Sequence, residues 1–468
     1  MRPIASRGCL FYGLGFFFGI PLLLALVGFL VIAGRERAAK RKLDDRLQKI
    51  VAQGLPVDNE TMLSFTNSLT SKEDTKDWLA ALGELTSEAF SKSTDGVPIF
   101  DPKATDELIV PAAGQTWSNE KVTRDFLTKW KDLFSRVSRL SLKQLEPGTK
   151  PVRFLKEFDS LNTLLPQTQN MRTAARLLLL NGQVAVFDRN SAKTRTNIEA
   201  LLGCSRTVSG EPLLVSQLVC VSIEGMGVGL LRSALEQDVL SERDLMALLP
   251  RMLDGINISP QWKLAMQGER AMILPLFEHP ELINPNLRWL PGRNTDSLHF
   301  LDLIDQVMEV PDTDLDGFRA GLAKVEQDFR RNFEGNLFQK FDSVVTTLTT
   351  PAVSSMGGAY IRDAMQRRAA AIAIGIRLYE KRNGRMPASL EDLKSLELGE
   401  LKLNPAGLLP LGGKPFGYKV EDKQALLWGF DPNQASSTPA EPPSTADGSP
   451  NAIANKRWTW TLEKATSQ

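Results

Sequence analysis

Apolar positions fall into three regimes along this chain: an unbroken run near the start, helical spacing through the middle, and alternation close to the end. Residues 9–34 carry no charge. A bilayer core of about 30 Å needs about 20 apolar helical residues, so this run predicts a transmembrane helix. Pro21 and its glycines are tolerable there. A cleaved signal peptide is the rival, since Val31 and Ala33 offer a small-x-small site, but its apolar core covers only about 7–15 residues. Cys9 lacks the apolar residues of a lipoprotein box before it, and no acidic residue precedes Glu36, so neither lipoprotein nor prepilin processing is expected.

Beyond the run, residues 35–55 read as a charged helix ended by Gly54 and Pro56. Broken helical segments over 58–118 carry a stripe of Trp78, Leu79, Leu82 and Leu85. Val122, Phe126, Trp130, Phe134, Val137 and Leu140 recur at helical spacing and predict one helix over 119–145. The stretch 172–187, with Leu177 to Leu180, is too short to span a membrane and reads as a buried helix. Residues 211–237 predict another, and Ser241 to Asp244 resembles a capping box opening a helix to Leu253. Short connections suggest an antiparallel helical array.

After Pro351, Ile361, Met365, Ala369, Ile372, Ile376 and Tyr379 line one face of a helix capped at Asn383-Gly384. A short helix from Ser389 follows, then strand-like runs at 416–420, 425–430 and 457–462. Residues 434–452, rich in Pro, Ser and Thr, lack the apolar surface to order themselves. The fold expected is therefore mainly α: an anchor over 1–34, a basic stalk and irregular helices over 35–118, a helical array over 119–350, and a small α+β unit over 351–468.

Composition changes this picture little. With 42% apolar and 24% charged residues and a net charge of +1, the chain is an ordinary globular protein without the field that attracts nucleic acid. Cys9, Cys204 and Cys220 form no disulfide framework or zinc pattern. Cys204 and Cys220 read as two small buried thiols, with pairing open to them in an oxidising compartment. The seven basic residues from Arg35 to Lys49 outnumber Arg2 and Arg7, a bias that by itself places the body in the cytoplasm. The same stretch could equally lie as a stalk against anionic headgroups.

Candidate chemistry is sparse. Asp312, Asp314 and Asp316 with Gly317 match the first half of a calcium loop, but Ala323 stands where a bidentate Glu is needed. A helix N-terminus whose acids complement the dipole is the competing reading. Gly225, Gly227 and Gly229 have the wrong spacing for a dinucleotide site and read as small residues that let helices approach. Glu269-Arg270 in an apolar stretch reads as a buried ion pair. His279 and His299 are the only imidazoles, and no metalloprotease, serine-hydrolase or phosphate-loop signature occurs.

The string AAAIAIGIRLYEKRNGRMPASLEDL, then KPFGYKV and ALLWGFDPN, resembles the C-terminal unit of type II secretion major pseudopilins, over residues 359–433. Tyr379, Asn383, Gly384, Arg385 and Pro387 carry its turn. The resemblance implies a helix followed by short strands. More than 300 residues separate anchor and tail, Asn404-Pro405-Ala406 replaces the usual aspartate, and Glu441 and Asp447 are the only acids where the calcium loop would fall. Fibre assembly and calcium binding are thus not implied. The whole layout also resembles a group of bacterial single-pass membrane proteins with a G-x-P-x-[ST] type segment, here Gly54 to Thr61, and a G-E-R step, here Gly268 to Arg270.

These features lead to one expectation: a single-pass protein of the inner membrane, held in lipid through residues 9–34, with a non-enzymatic body docking protein partners. The tail resemblance ties it to secretion or surface assembly and favours a body outside the cytoplasm, against the charge bias. The alternative is an envelope hydrolase with a site around Glu269, Arg270 and His299.

Overall fold

The computed structural model describes residues 7–101, 110–155, 166–258, 260–289, 292–312, 314–334, 344–349, 353–421, 424–429 and 459–463. The chain is mainly helical with a small sheet at its C-terminal end. In order the helices are α1 (Arg7–Ala52), α2 (Asn59–Leu69), α3 (Thr75–Leu85), α4 (Glu88–Ser91), α5 (Glu120–Lys129), α6 (Lys131–Lys143), α7 (Pro166–Phe187) and α8 (Ser191–Val208). They continue as α9 (Leu214–Glu236), α10 (Glu242–Leu253), α11 (Pro260–Glu278), α12 (Arg293–Glu309), α13 (Leu315–Glu334), α14 (Val344–Thr349) and α15 (Val353–Asn383). Strands β1 (Gly417–Glu421), β2 (Gln424–Trp428) and β3 (Thr459–Glu463) form one antiparallel sheet in that order. The segment 434–452 is outside the described residues.

The apolar run and the charged stalk form one helix, because nothing between Ala33 and Arg37 breaks the pattern. Along α1, Leu23, Leu26, Val27, Phe29, Leu30, Val31 and Ile32 are 40–68% exposed, whereas Ala39, Leu43 and Ile50 are buried. Two charged contacts seat the second half on α12. Glu36 accepts the backbone N–H groups of Asn294 (2.9 Å) and Thr295 (3.3 Å), a carboxylate capping the free N–H groups of a helix start. Arg46 pairs with Asp302 (2.5 Å) and Asp305 (2.7 Å) farther along. The two helices therefore run parallel, fixed at both ends.

Two apolar cores fill the body. One collects α3, α6 to α10, the second half of α15 and the sheet; the other collects the end of α1, α11 to α14 and the first half of α15. α15 threads both, with Tyr360 to Met365 in one and Ala369 to Tyr379 in the other. The helix expected to belong to a separate tail is thus the central beam of the array, and the sheet leans on it. α9 is long and apolar enough to cross a membrane, yet 56% of that stretch is buried inside the body.

Local departures have local causes. The helix expected over 119–145 breaks at Trp130, whose indole packs on Phe90 (5.1 Å between centroids) and donates to the Ser93 hydroxyl at 2.9 Å. Serving that pocket takes Trp130 off the helical path. At α10 the Ser241 hydroxyl caps the Asp244 N–H as expected. The reciprocal bond is missing, because Asp244 turns to the hydroxyls of Ser191 and Ser241 and Ser191 accepts the Ser241 N–H instead.

Candidate functional site

A buried polar cluster lies where α9 and α15 cross between the two cores. Glu224 is the only charged residue of α9 between Leu214 and Leu231, and the stripe of α15 is broken by Asp363 and Arg367 one turn apart. The crossing brings the three together. Arg367 donates to Glu224 (2.7 Å), holds Asp363 at 3.3 Å, and reaches the Arg251 carbonyl at 3.3 Å. The Ser205 hydroxyl donates to Glu224 at 2.8 Å.

The two carboxyls titrate apart. Burial pushes Glu224 up, but the Arg367 charge, the Ser205 hydroxyl and Asp363 outweigh it and hold Glu224 below the usual range. For Asp363 burial and the Glu224 charge win over Arg367 and raise it. Of the two, Asp363 is the one whose affinity for a proton is raised.

A cleft of about 710 Å³ opens beside it, between the turn after α6, the α10–α11 connection and the crossing itself. Pro147, Gly148, Leu253 and Ile258 give it apolar walls, and Arg206 pairs with Asp254 at its edge. Two buried polar atoms of residues lining it, Tyr360 Oη and Gln217 Oε1, lack a hydrogen-bond partner within the protein. Cys220 also lines it, its thiol donating to the Ser205 carbonyl at 3.4 Å. Cys204 and Cys220 are both free, and burial raises both thiols, Cys204 to about 12, so neither is a ready nucleophile.

The residues singled out on sequence lie elsewhere. Asp314 accepts the Gly317 N–H at the start of α13, and Asp316 accepts the Gly412 N–H at 2.7 Å. With Asp312 they make no cluster: among the described residues no three Asp, Glu, His or Cys side chains are placed to hold a metal. Their acids cap a helix and a loop. The ion pair expected at Glu269-Arg270 does not form, because neighbours on a helix point apart. Glu269 accepts the Leu214 N–H at 3.2 Å, and Arg270 donates to the Pro56 carbonyl at 3.1 Å. Burial raises Glu269 to about 7 and lowers Arg270 to about 10.

Arg270 does bring the two marker segments together, since Pro56 belongs to the stretch Gly54 to Thr61. Gly268 belongs to the same contact: a Cβ there would overlap the Pro212 carbonyl and touch Met62. The G-E-R step is therefore a packing joint where α11 passes under the α8–α9 connection. Of the three spaced glycines on α9, Gly227 faces α8 at ordinary contact distance, while Gly229 meets open space. His279 is near Glu281 at 3.4 Å on the surface.

The sequence held one overlooked signal for the cleft, a lone carboxylate in an apolar helix. Comparison with known protein families, curated proteins and solved structures finds no match for this chain.

Proposed function

We propose that this protein is tethered to the inner membrane by a single pass through residues 9–34, and that its helical body docks protein partners without catalysis. One observation carries the tether: the exposed apolar surface from Leu23 to Ile32, on a helix whose continuation is built into the body. At 1.5 Å per residue the uncharged run is about 39 Å long, enough to cross about 30 Å of hydrocarbon. Each large apolar side chain removed from water contributes about 1.5–3 kcal/mol, so lipid is the favourable surrounding.

The docking role rests on a body made mostly of packed helices. A place in secretion or surface assembly outside the cytoplasm rests on the resemblance of residues 359–433 to the pseudopilin unit alone. The hydrolase alternative loses support because Glu269 and Arg270 turn to separate backbone groups, the Leu214 N–H and the Pro56 carbonyl, and do not converge.

Paired reporters fused after Gln468, one active only outside the cytoplasm and one only inside, test this reading on membrane fractions. Signal from the outside reporter, in material resisting alkaline extraction, is expected. An inside signal overturns the envelope role and leaves a cytoplasmic tethered scaffold. Release from the membrane by alkali overturns the tether, and repeated co-purification without a reproducible protein partner overturns docking.

A further inference from the structure

We propose that the α11–α12 connection, His279 to Trp289, is a second contact with the bilayer, a foothold in the headgroup layer beside the α1 span. The proposal rests on the tether reading and adds to it a place where the body itself touches lipid. Three observations carry it.

The first is height. Glu36 stands two residues beyond the uncharged run, about 3 Å along the helix axis. Its carboxylate accepts the backbone N–H groups of Asn294 (2.9 Å) and Thr295 (3.3 Å), so α12 begins at that level. Arg46, about 15 Å farther along α1, meets Asp302 and Asp305. α12 therefore leads away from the proposed membrane surface. α11 leads back towards it, since the Trp262 indole near its start donates to the Val307 carbonyl near the end of α12 (3.4 Å). Arg293 at the start of α12 donates to the Glu278 carbonyl at the end of α11 (3.0 Å). These two helix ends thus share the level of Glu36, and the segment joining them closes the body on the side that faces lipid.

The second is what the segment exposes. Leu282 is 57% exposed, the highest value for a large apolar side chain outside α1 among the described residues. A lone exposed leucine is ordinary. One at the bilayer end of the body has an apolar surrounding within reach. Ile283 and Leu287 of the same segment are half-buried. By sequence the segment ends on Trp289, a residue type that collects at membrane interfaces, and Glu281 and Arg288 are its only acid and base.

The third is the backbone. A segment that approaches hydrocarbon has to satisfy its own N–H groups, because lipid tails offer no partners. Leu282 donates to the His279 carbonyl (3.0 Å), Ile283 and Asn284 to that of Pro280 (3.1 and 3.2 Å), and Leu287 to that of Asn284 (2.9 Å). The Asn286 N–H goes to the Asn284 side chain at 2.9 Å. Pro280 and Pro285 open the two short 3-10 turns and carry no N–H at all.

The test is fluorescence quenching of the full chain in vesicles of phosphatidylethanolamine and phosphatidylglycerol. Leu282→Cys, Leu30→Cys and Val51→Cys, each in a Cys9→Ser background, carry a thiol-reactive dye; Cys204 and Cys220 are buried and stay unlabelled. Nitroxide-bearing lipid quenches within the bilayer and iodide quenches in water. Leu30 lies in the proposed span, and Val51 lies about 26 Å past its end along α1. The lipid quencher should reach the dye at 30 and, at an interfacial depth of about 5–10 Å, the dye at 282, each at least about threefold more than the dye at 51. Asn286→Cys, also exposed on the segment, serves if Leu282→Cys misfolds. Quenching at 30 without quenching at 282 overturns the foothold and leaves the tether standing. No quenching at 30 overturns the tether and the foothold together. Equal quenching at 282 and 51 overturns the height argument, since α1 beyond the span would then lie along the surface. A dye at 282 that neither quencher reaches is covered by a second copy of the chain, and that too overturns the lipid contact.

Discussion

Arg377 and Arg367 stand ten residues apart on α15, about 15 Å along its axis, and both are buried. Every N–H of Arg377 is used: on the carbonyls of Leu235 (2.9 and 2.6 Å), Glu236 (3.4 Å) and Glu463 (2.5 Å), and on the Glu380 carboxylate (2.6 Å). It closes the end of α9 and ties β3 to the array. Arg367 meets two carboxyls and one carbonyl, with its Nε 3.3 Å from Asp363. The chemistry and helix are the same, but one site is sealed by backbone carbonyls and the other by carboxyls that border a cavity. Burial of a charge says little about purpose; the groups that surround it say more.

The comparison breaks first at its closed end. Arg377→Met should cost about 3–5 kcal/mol in urea unfolding, because Glu380 and three carbonyls lose their donor in an apolar setting. Equal stability of the variant would mean that the Arg377 network is redundant. Glu269, a third buried charge with one hydrogen bond, sharpens the contrast through pH. Its carboxyl titrates near 7 in the folded chain against an ordinary 4.5, so the native state binds the extra proton between these values. Stability must then fall as pH rises from about 4.5 to about 7 and level off above, by roughly 3 kcal/mol. Glu269→Gln should flatten that fall and unfold later than the natural protein at pH 8.

At the cleft Arg367→Met should cost less, roughly 2 kcal/mol near neutral pH, because Asp363, whose affinity for a proton is raised, can take one up and leave Glu224 as the single unpaired charge. Removing the arginine raises Glu224, so the variant should regain stability as the pH is lowered and Glu224 takes up a proton. A loss as large as that of Arg377→Met would erase the distinction between the sites. The smallest effect expected is none: calcium at millimolar concentration should give no heat with the full chain, since Asp314 and Asp316 already serve as caps. Heat that disappears in Asp312→Asn would reverse this.

Much of the architecture was readable from period alone. Leu177, Leu178 and Leu180 do bury in α7, the stripe from Ile361 to Tyr379 does face the cores, and the three strand-like runs do pair. What escaped depended on contacts between distant residues. Nothing near Trp130 announces that Ser93 and Phe90 will pull it off the helix. Likewise the cleft needs Glu224 to meet Asp363 and Arg367 across some 140 positions, a pairing that no spacing rule supplies. The acids at 312–316 were ambiguous for a related reason: a capping cluster and half a calcium loop use the same residue types. Whether a carboxylate meets an N–H or a cation is decided by residues such as Gly412, far along the chain.

The grip of Glu36 on the start of α12 comes two residues after the uncharged run ends. A body hung on a loose linker explores a volume and meets partners at any height or angle. Here no slack separates the proposed span from the first residue that holds the body, so the helix works as a bracket more than as a leash. Every surface feature, the cleft included, would then sit at a set distance and bearing from the lipid. Partners confined to the same bilayer would approach in two dimensions and already in register, while a soluble one would have to match an orientation it cannot alter.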